Sequence, residues 1–365
     1  MKIPIYQPYL PKKSLKYAHE AIDSGWISSL GKYKNLCEEK LKEMFGYKYL
    51  LLVNNGTAAI HLVSKCLKYR YPHIERVIVP NNIYCAGWNA FLYDKDFKLF
   101  CSKIDIDTWN IKLESVRQCD AILIVHNLGN IFNVPKLKRE INNVIVEDNC
   151  EGLGGKYEGF YSGTKSICSS LSFFANKNIT CGEGGAFCTE DEELYDYANL
   201  VHGQGQSKKR YIHSILGYNF RMTNIQAALL LGQLEIFDEI MKRKQEIFNY
   251  YREELLKVEE VKIQKIEDNT SPSNWMFGIR IPGEDGYTEI EKYFNDKGIE
   301  TRPLFYPIDY HAHLWSNSFV DIDKNDRLPS ILSDECFMIP SYPELTKNDQ
   351  KYIIETIKNY CRGNL

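Results

Sequence analysis

The chain has 365 residues, 44% of them hydrophobic and 25% charged, with a formal net charge of −3. That profile is of a globular chain with room for one large and one smaller domain, and it lacks the basic footprint that nucleic acid requires. No apolar signal core follows Met1, no apolar run approaches about 18 residues, and the 11 cysteines are scattered without a Cys-x-x-Cys pair. Neither export nor membrane spanning is expected, a cytoplasmic location is, and the cysteines read as free thiols rather than disulfides or metal ligands, with no metal site.

An extended arm and a helix from about Lys13 to Ser24 lead into Gly25-Trp26-Ile27-Ser28-Ser29-Leu30-Gly31. Strands and helices then alternate. Strands are predicted at Tyr49–Val53, Arg76–Pro80, Phe97–Ile104, Ala121–Val125 and Val144–Glu147, the last ending in Asp148. Helices are predicted at 58–69 and 84–93, with another ending at 137–142. Apolar runs at 169–174 and 186–189 flank a glycine turn, Gly182, Gly184 and Gly185. Such alternation predicts an α/β fold with a mostly parallel central sheet flanked by helices. Ligands of such sheets gather beyond the carboxyl ends of the strands, where Asn55, Asn81, His126 and Asp148 fall. One long helix is predicted from about Asn224 to Leu256, its stripe carrying Ile225, Ala228, Leu229, Gly232, Ile236 and Ile240. It would join a large domain, 1–240, to a smaller C-terminal α/β domain, 241–365. Strands in the latter are predicted at 261–264, 275–281 and 300–304, and helices at 288–297 and 347–360.

Four features fall in one order. Gly56-Thr57 opens a helix whose free N–H groups and dipole suit a phosphate, although an ordinary capped helix is the commoner reading of that pattern. Tyr84, past the Val77–Pro80 strand, can stack on a flat ring or simply pack. Asp148 ends a strand too apolar for an ionised carboxylate without a cationic or hydrogen-bonding partner, which a protonated pyridine nitrogen would supply, although alone it reads equally well as a helix cap. Lys177 stands at the mouth of the glycine turn, where a lysine can be held near the neutral amine that forms a Schiff base, while most lysines are solvated surface charges. Ser172 adds a second phosphate donor. Together they outline a site for pyridoxal 5′-phosphate.

From Tyr6-Gln7-Pro8 to Ile339-Pro340-Ser341-Tyr342-Pro343 the sequence resembles the DegT/DnrJ/EryC1/StrS sugar aminotransferases. The resemblance is carried by Asn55-Gly56-Thr57-Ala58-Ala59, Val77–Pro80 with Tyr84, Glu147-Asp148-Asn149-Cys150-Glu151, Ser172–Lys177, Gly182-Glu183-Gly184-Gly185 and 217–228. It implies the aspartate-aminotransferase type of fold (fold type I). Lys177 is implied as the lysine bonded to the cofactor, Asp148 as the partner of the pyridine nitrogen and Tyr84 as the stacking ring. Glu151 falls near the ring hydroxyl, where relatives often carry Gln or His, and Gly56, Thr57 and Ser172 fall at the phosphate. Asn219 matches a residue that reaches the phosphate in the neighbouring subunit, so a homodimer with shared sites is implied.

The implied reaction moves an amino group from L-glutamate, leaving 2-oxoglutarate, to a nucleotide-linked 4-keto-6-deoxyhexose. Phe173-Phe174-Ala175-Asn176-Lys177 with Gly182-Glu183 resembles the 4-aminotransferases that form GDP-linked perosamine. Alternatives are UDP- or dTDP-linked viosamine, amination at C3, or a non-catalytic regulator; 3-dehydratases of the family carry His in place of the lysine. The chain departs from the pattern at Cys85, Trp88, Asn127-Leu128-Gly129-Asn130 and Asp309, where substrate contacts are expected. Trp26, Ser28 and Arg302 are further candidates for substrate contact, and Arg302 reads equally well as a structural ion pair.

Overall fold

The computed structural model describes residues 2–113, 120–283, 286–315, 317–323 and 325–363. Seven strands build most of the central sheet: β1 (Tyr49–Val53), β2 (Arg76–Pro80), β3 (Lys98–Ile104), β4 (Ala121–Val125), β5 (Val144–Asp148), β6 (Cys168–Ser172) and β7 (Gly185–Thr189). Their order is β1-β7-β6-β5-β4-β2-β3, with Val320–Asp321 beyond β3 and Ile111–Lys112 paired to it. The run from β6 to β3 is parallel, and β7 is antiparallel to both its neighbours. The sheet is covered on both faces, which the strands' alternation shows directly. Leu51 and Val53 pack into one apolar cluster, and Leu50 and Leu52 into another.

Among the described residues eight α-helices precede the C-terminal sheet: α1 (Lys12–Asp23), α2 (Lys32–Phe45), α3 (Gly56–Arg70), α4 (Ala86–Leu92), α5 (Val134–Glu140), α6 (Glu192–His202), α7 (Asn224–Leu234) and α8 (Phe237–Leu255). α3 and α6 cover one face of the sheet, and α2 and α7 the other. The sequence reading has no element at α2. Its buried residues, Tyr33, Cys37, Leu41 and Phe45, recur only every fourth position in an otherwise charged stretch, a stripe too narrow to stand out. The bounding glycines were the available signal, since Gly46 ends the helix at φ 74.

The long helix expected over 224–256 is two helices. Ile236, at φ −118 and ψ 18, breaks it between α7 and α8. Phe237 then meets Phe45 edge to face at 5.0 Å, while Ile247, Tyr251 and Leu255 of α8 pack under a second sheet. Both halves keep helical spacing, so periodicity alone cannot reveal the break.

The second sheet runs Lys262–Ile263, Phe277–Arg280, Cys336–Ile339 and Arg302–Pro303, all antiparallel. Helices Tyr287–Asp296 and Lys347–Gly363 complete its core with α8. Cys336–Ile339 was missed in sequence because four unalternating apolar residues follow a helix, Leu328–Glu335, with no loop between. The domain division expected at residue 240 falls inside α8. Among the described residues no helix is long and apolar enough to cross a membrane.

α1 and α7 cross at Gly232. A Cβ there would lie 2.3 Å from the Ser14 backbone nitrogen, and the Ser14 hydroxyl donates to the Leu229 carbonyl at 2.7 Å. Gly→Ala inside a helix ordinarily stabilises by about 1 kcal/mol. Here Gly232→Ala is expected to reverse that sign and destabilise by about 1–3 kcal/mol, because the added methyl meets backbone rather than a movable side chain. The urea midpoint measures it, and a midpoint above wild type would contradict the close crossing.

Candidate active site

Beyond the carboxyl ends of β4, β5 and β6 lies a cavity of about 520 Å³. Gly56, Thr57, Tyr84, Asp148, Glu151, Ser172, Lys177 and Arg302 all line it. Asn55 caps α3, its side chain accepting from the Ala58 N–H at 2.8 Å, and the first turn of the helix opens into the cavity. N–H groups in that turn have no intrahelical acceptor and carry the positive end of the helix dipole. A Cβ on Gly56 would lie 2.9 Å from Ser172 Cβ and 3.0 Å from its Oγ, so only glycine lets α3 come this close to β6. The result is a cradle of helix N–H groups beside a hydroxyl, which fits a phosphate.

Asp148 and Glu147 are neighbours on β5 with opposite assignments. Asp148 turns to the cavity, its Oδ1 accepting from the Ser170 hydroxyl at 3.0 Å and the Cys150 N–H at 3.1 Å. Glu147 is fully buried. The Phe132 N–H donates to His126 Nδ1 at 3.1 Å, which leaves Nε2–H to donate to Glu147 Oε2 at 3.0 Å. Tyr157, Gly163 and Ser166 also donate to Glu147. Burial alone would raise its carboxyl, but the hydrogen bonds from His126, Ser166 and Gly163 hold it below its ordinary value. His126 is thus spent beneath the sheet end and does not line the cavity.

Lys177 Nζ stands 4.0 Å from Glu151 Oε1, with side chains 14% and 5% exposed, and 3.9 Å from the centroid of the Trp275 ring. Glu151 Oε2 accepts from the Leu128 N–H at 2.8 Å, and Leu128 adopts φ 56 to present it. Burial pushes the Glu151 carboxyl up to about 7, against the opposing pull of Lys177 and the Leu128 N–H. Arg302 reaches the cavity with only a loose pair, 3.8 Å to Glu300.

Three expected residues are not brought in. Trp26 and Ser28 are exposed, and their carbonyls accept from the Asn224 side chain and backbone at 2.7 Å each. Asn219 is exposed and accepts from Arg221 Nε at 3.1 Å, away from this chain's cavity. The departures from the family pattern are largely structural. Trp88 is buried with its indole N–H on the Pro80 carbonyl, and the Asn127 and Asn130 amides each hold two backbone carbonyls. Cys85 and Asp309 also lie outside the lining. Sequence reading missed Trp275, Met276, Phe305 and Met338, which close the cavity from the second sheet's side. No local pattern marks a strand-flanking Trp as a cavity wall beside a distant lysine.

Glu151 makes stability depend on pH. Its carboxyl titrates near 4.5 when unfolded and near 7 in the fold. Between those values the native state keeps a proton that the unfolded state has lost, so stability falls as pH rises through that window. Glu151→Gln in the cofactor-free protein is expected to flatten the decline and to add on the order of 2–3 kcal/mol above pH 7. Urea midpoints at pH 5 and pH 8 test this, and an unchanged difference between them would place the titration elsewhere.

Comparison with known proteins places the whole chain in one family. The profile of the DegT/DnrJ/EryC1/StrS aminotransferase family matches residues 8–358. GDP-perosamine synthase of Escherichia coli O157:H7 is 35% identical over 367 residues, covering 98% of each chain. Among solved structures, Helicobacter pylori PseC, an aminotransferase involved in pseudoaminic acid biosynthesis, superposes with a TM-score of 0.91 at 23% identity, covering all of both chains. E. coli GDP-4-keto-6-deoxy-D-mannose-3-dehydratase with bound hydrated pyridoxal phosphate gives 0.91 at 21%, covering 98% of this chain and 99% of that one. These two likenesses show the fold, which is of type I. The chain belongs to the DegT/DnrJ/EryC1/StrS aminotransferase family and is a pyridoxal-phosphate-dependent sugar aminotransferase.

Proposed function

We propose that the protein transfers the amino group of L-glutamate to C4 of a GDP-linked 4-keto-6-deoxyhexose, as a GDP-perosamine synthase does. The observation that carries this reading is the meeting of a lysine amine, a strand-end carboxylate and a helix N-terminus in one cavity. The likeness along the whole chain to a GDP-perosamine synthase supports the sugar and the nucleotide.

Gly56, Thr57 and Ser172 would hold the cofactor phosphate, Asp148 the proton of the ring nitrogen, Tyr84 a face of the ring and Glu151 its hydroxyl edge. Lys177 would give the covalent hold. Bound there, pyridoxal phosphate supplies an aldehyde to carry the amino group and a ring to draw off the electron pair left on carbon. Lys177 Nζ then moves the proton, taking it from Cα of glutamate in one half of the reaction and delivering one to C4 of the sugar in the other. Arg302 contacts an anionic part of a substrate. Trp26, Ser28 and Asn219, outside this chain's own cavity, serve the site of a second copy in a homodimer.

Borohydride reduction of the loaded protein is expected to fix the cofactor on the peptide containing Lys177, and Lys177→Ala to abolish turnover. Label on Lys156 or Lys165 would overturn the assignment. Offered GDP-, UDP- and dTDP-linked 4-keto-6-deoxyhexoses with glutamate, the enzyme is expected to favour the GDP sugar and place nitrogen at C4. Amination at C3, or a preference for another nucleotide, would overturn that part of the reading.

Sharing of sites is tested by mixing. Lys177→Ala and Asn219→Ala subunits, each inactive alone, are expected to recover roughly a quarter of wild-type activity after subunit exchange, because half the dimers are mixed and each has one intact site. No recovery despite proven exchange would place Asn219 in its own subunit's site.

A further inference from the structure

One wall of the cavity is a segment to which the proposed reaction gives no part. Residues 273–276 run ahead of Phe277–Arg280 and are tied to the lysine loop. The Asn178 side chain donates to the Ser273 carbonyl at 2.7 Å, and the Ser273 N–H to the Gly129 carbonyl at 2.9 Å. Trp275 is held at both ends. Its indole N–H donates to the Asn176 carbonyl at 2.8 Å, and its own carbonyl accepts from Lys244 Nζ at 2.7 Å. Lys244 is fully buried on α8 and also donates to the Ser341 carbonyl at 2.6 Å.

A ring pinned in this way cannot follow its neighbours, so in the contact with Lys177 the lysine is the movable partner. The amine lies 3.9 Å from the ring centroid, well inside cation–π range, and the indole is only 4% exposed, which keeps water from competing. Glu151 Oε1 faces the same amine at 4.0 Å. A lysine that has released the cofactor carries a flexible four-carbon chain that would otherwise sample the open mouth of the cavity.

We propose that Trp275 is a positioning residue, its indole face holding the Lys177 ammonium inside the cavity whenever the amine is not bonded to the cofactor, with Asn176 fixing the indole and Lys244 the Trp275 backbone. This rests on the reading of Lys177 as the cofactor-bonding lysine.

The test is competitive acylation of the cofactor-free protein with acetic anhydride, following Lys177 against surface lysines by peptide mapping. Trp275→Leu and Trp275→Met remove the ring face and are expected to raise Lys177 acylation ~3- to 30-fold. Trp275→Phe keeps a ring face and is expected to stay within about threefold of wild type. In the loaded enzyme the Leu and Met variants are expected to lose kcat with KM for both substrates nearly unchanged, the pattern of a lost proton-transfer geometry. Lys244→Met is expected to act in the same direction as Trp275→Leu, and to add nothing on top of it.

Urea midpoints establish that each variant is folded; Trp275→Met, unbranched and better able to fill an irregular gap, stands in if the Leu variant is not. Unchanged acylation in a folded Leu or Met variant overturns the proposal, as does a Phe variant that behaves like Leu. Borohydride mapping of the wild type separates the two readings. Label on another lysine defeats the functional assignment, whereas label on Lys177 with no acylation change defeats the role of Trp275 alone.

Discussion

The site depends on the close approach of the first turn of α3 to the end of β6. Helix N–H groups act on an anion only within about a turn's length, so the phosphate cradle needs the helix end pressed against the sheet. Gly56 permits this, since any side chain would strike Ser172. The same approach sets the remaining distances. β6 pairs with β5, which brings Ser170 opposite Asp148, and β6 runs on into the turn that ends at Lys177. Hydroxyl and carboxylate therefore hang from adjacent strands whose register is fixed by backbone hydrogen bonds, and the amine from the turn directly beyond one of them.

Alternation along β5 then sorts two adjacent acids into different work. Glu147 faces a buried set of donors and is consumed in holding His126 and the 163–166 turn. Asp148, one residue on, faces the cavity. A slip of one residue in the pairing of β5 would exchange them, turning Glu147 to the site without its donors and setting the shorter Asp148 among donors spaced for a glutamate. The amide side chains of Asn110, Asn127, Asn130 and Gln264 resist such slippage from the β4 side. They bond backbone carbonyls of the loop after β4 and of segments on either side of it.

The residues legible in sequence were those whose chemistry and neighbours sit on the same short stretch. Lys177, Asp148, Gly56, Thr57, Ser172 and Tyr84 each announce themselves through a strand end, a glycine turn or a helix start, and all line one cavity. Trp275 and Met338 gave no such signal, because their contribution exists only when the second sheet folds back over the first. α2 was hidden by its charge, and the break at Ile236 by helical spacing that continues through it. Asn219, Trp26 and Ser28 have the local look of site residues but are exposed in the single chain. Local pattern reports that a residue is presented, not that it reaches this chain's cavity.

The placement of Met338 has a consequence for biosynthesis. The cavity wall draws on residues from Asn55 near one end to Met338 near the other, and Met338 lies on Cys336–Ile339, an inner strand of the second sheet. While the chain is being made, the central strands emerge and can pair early, but neither the second sheet nor the cavity wall beside the lysine can close until Cys336–Ile339 has left the ribosome. An unfinished chain can thus present a phosphate cradle without a finished pocket. The competent enclosure around Lys177 needs the chain through Ile339, and a chain truncated before Cys336 would lose it even with every long strand of the central sheet in place.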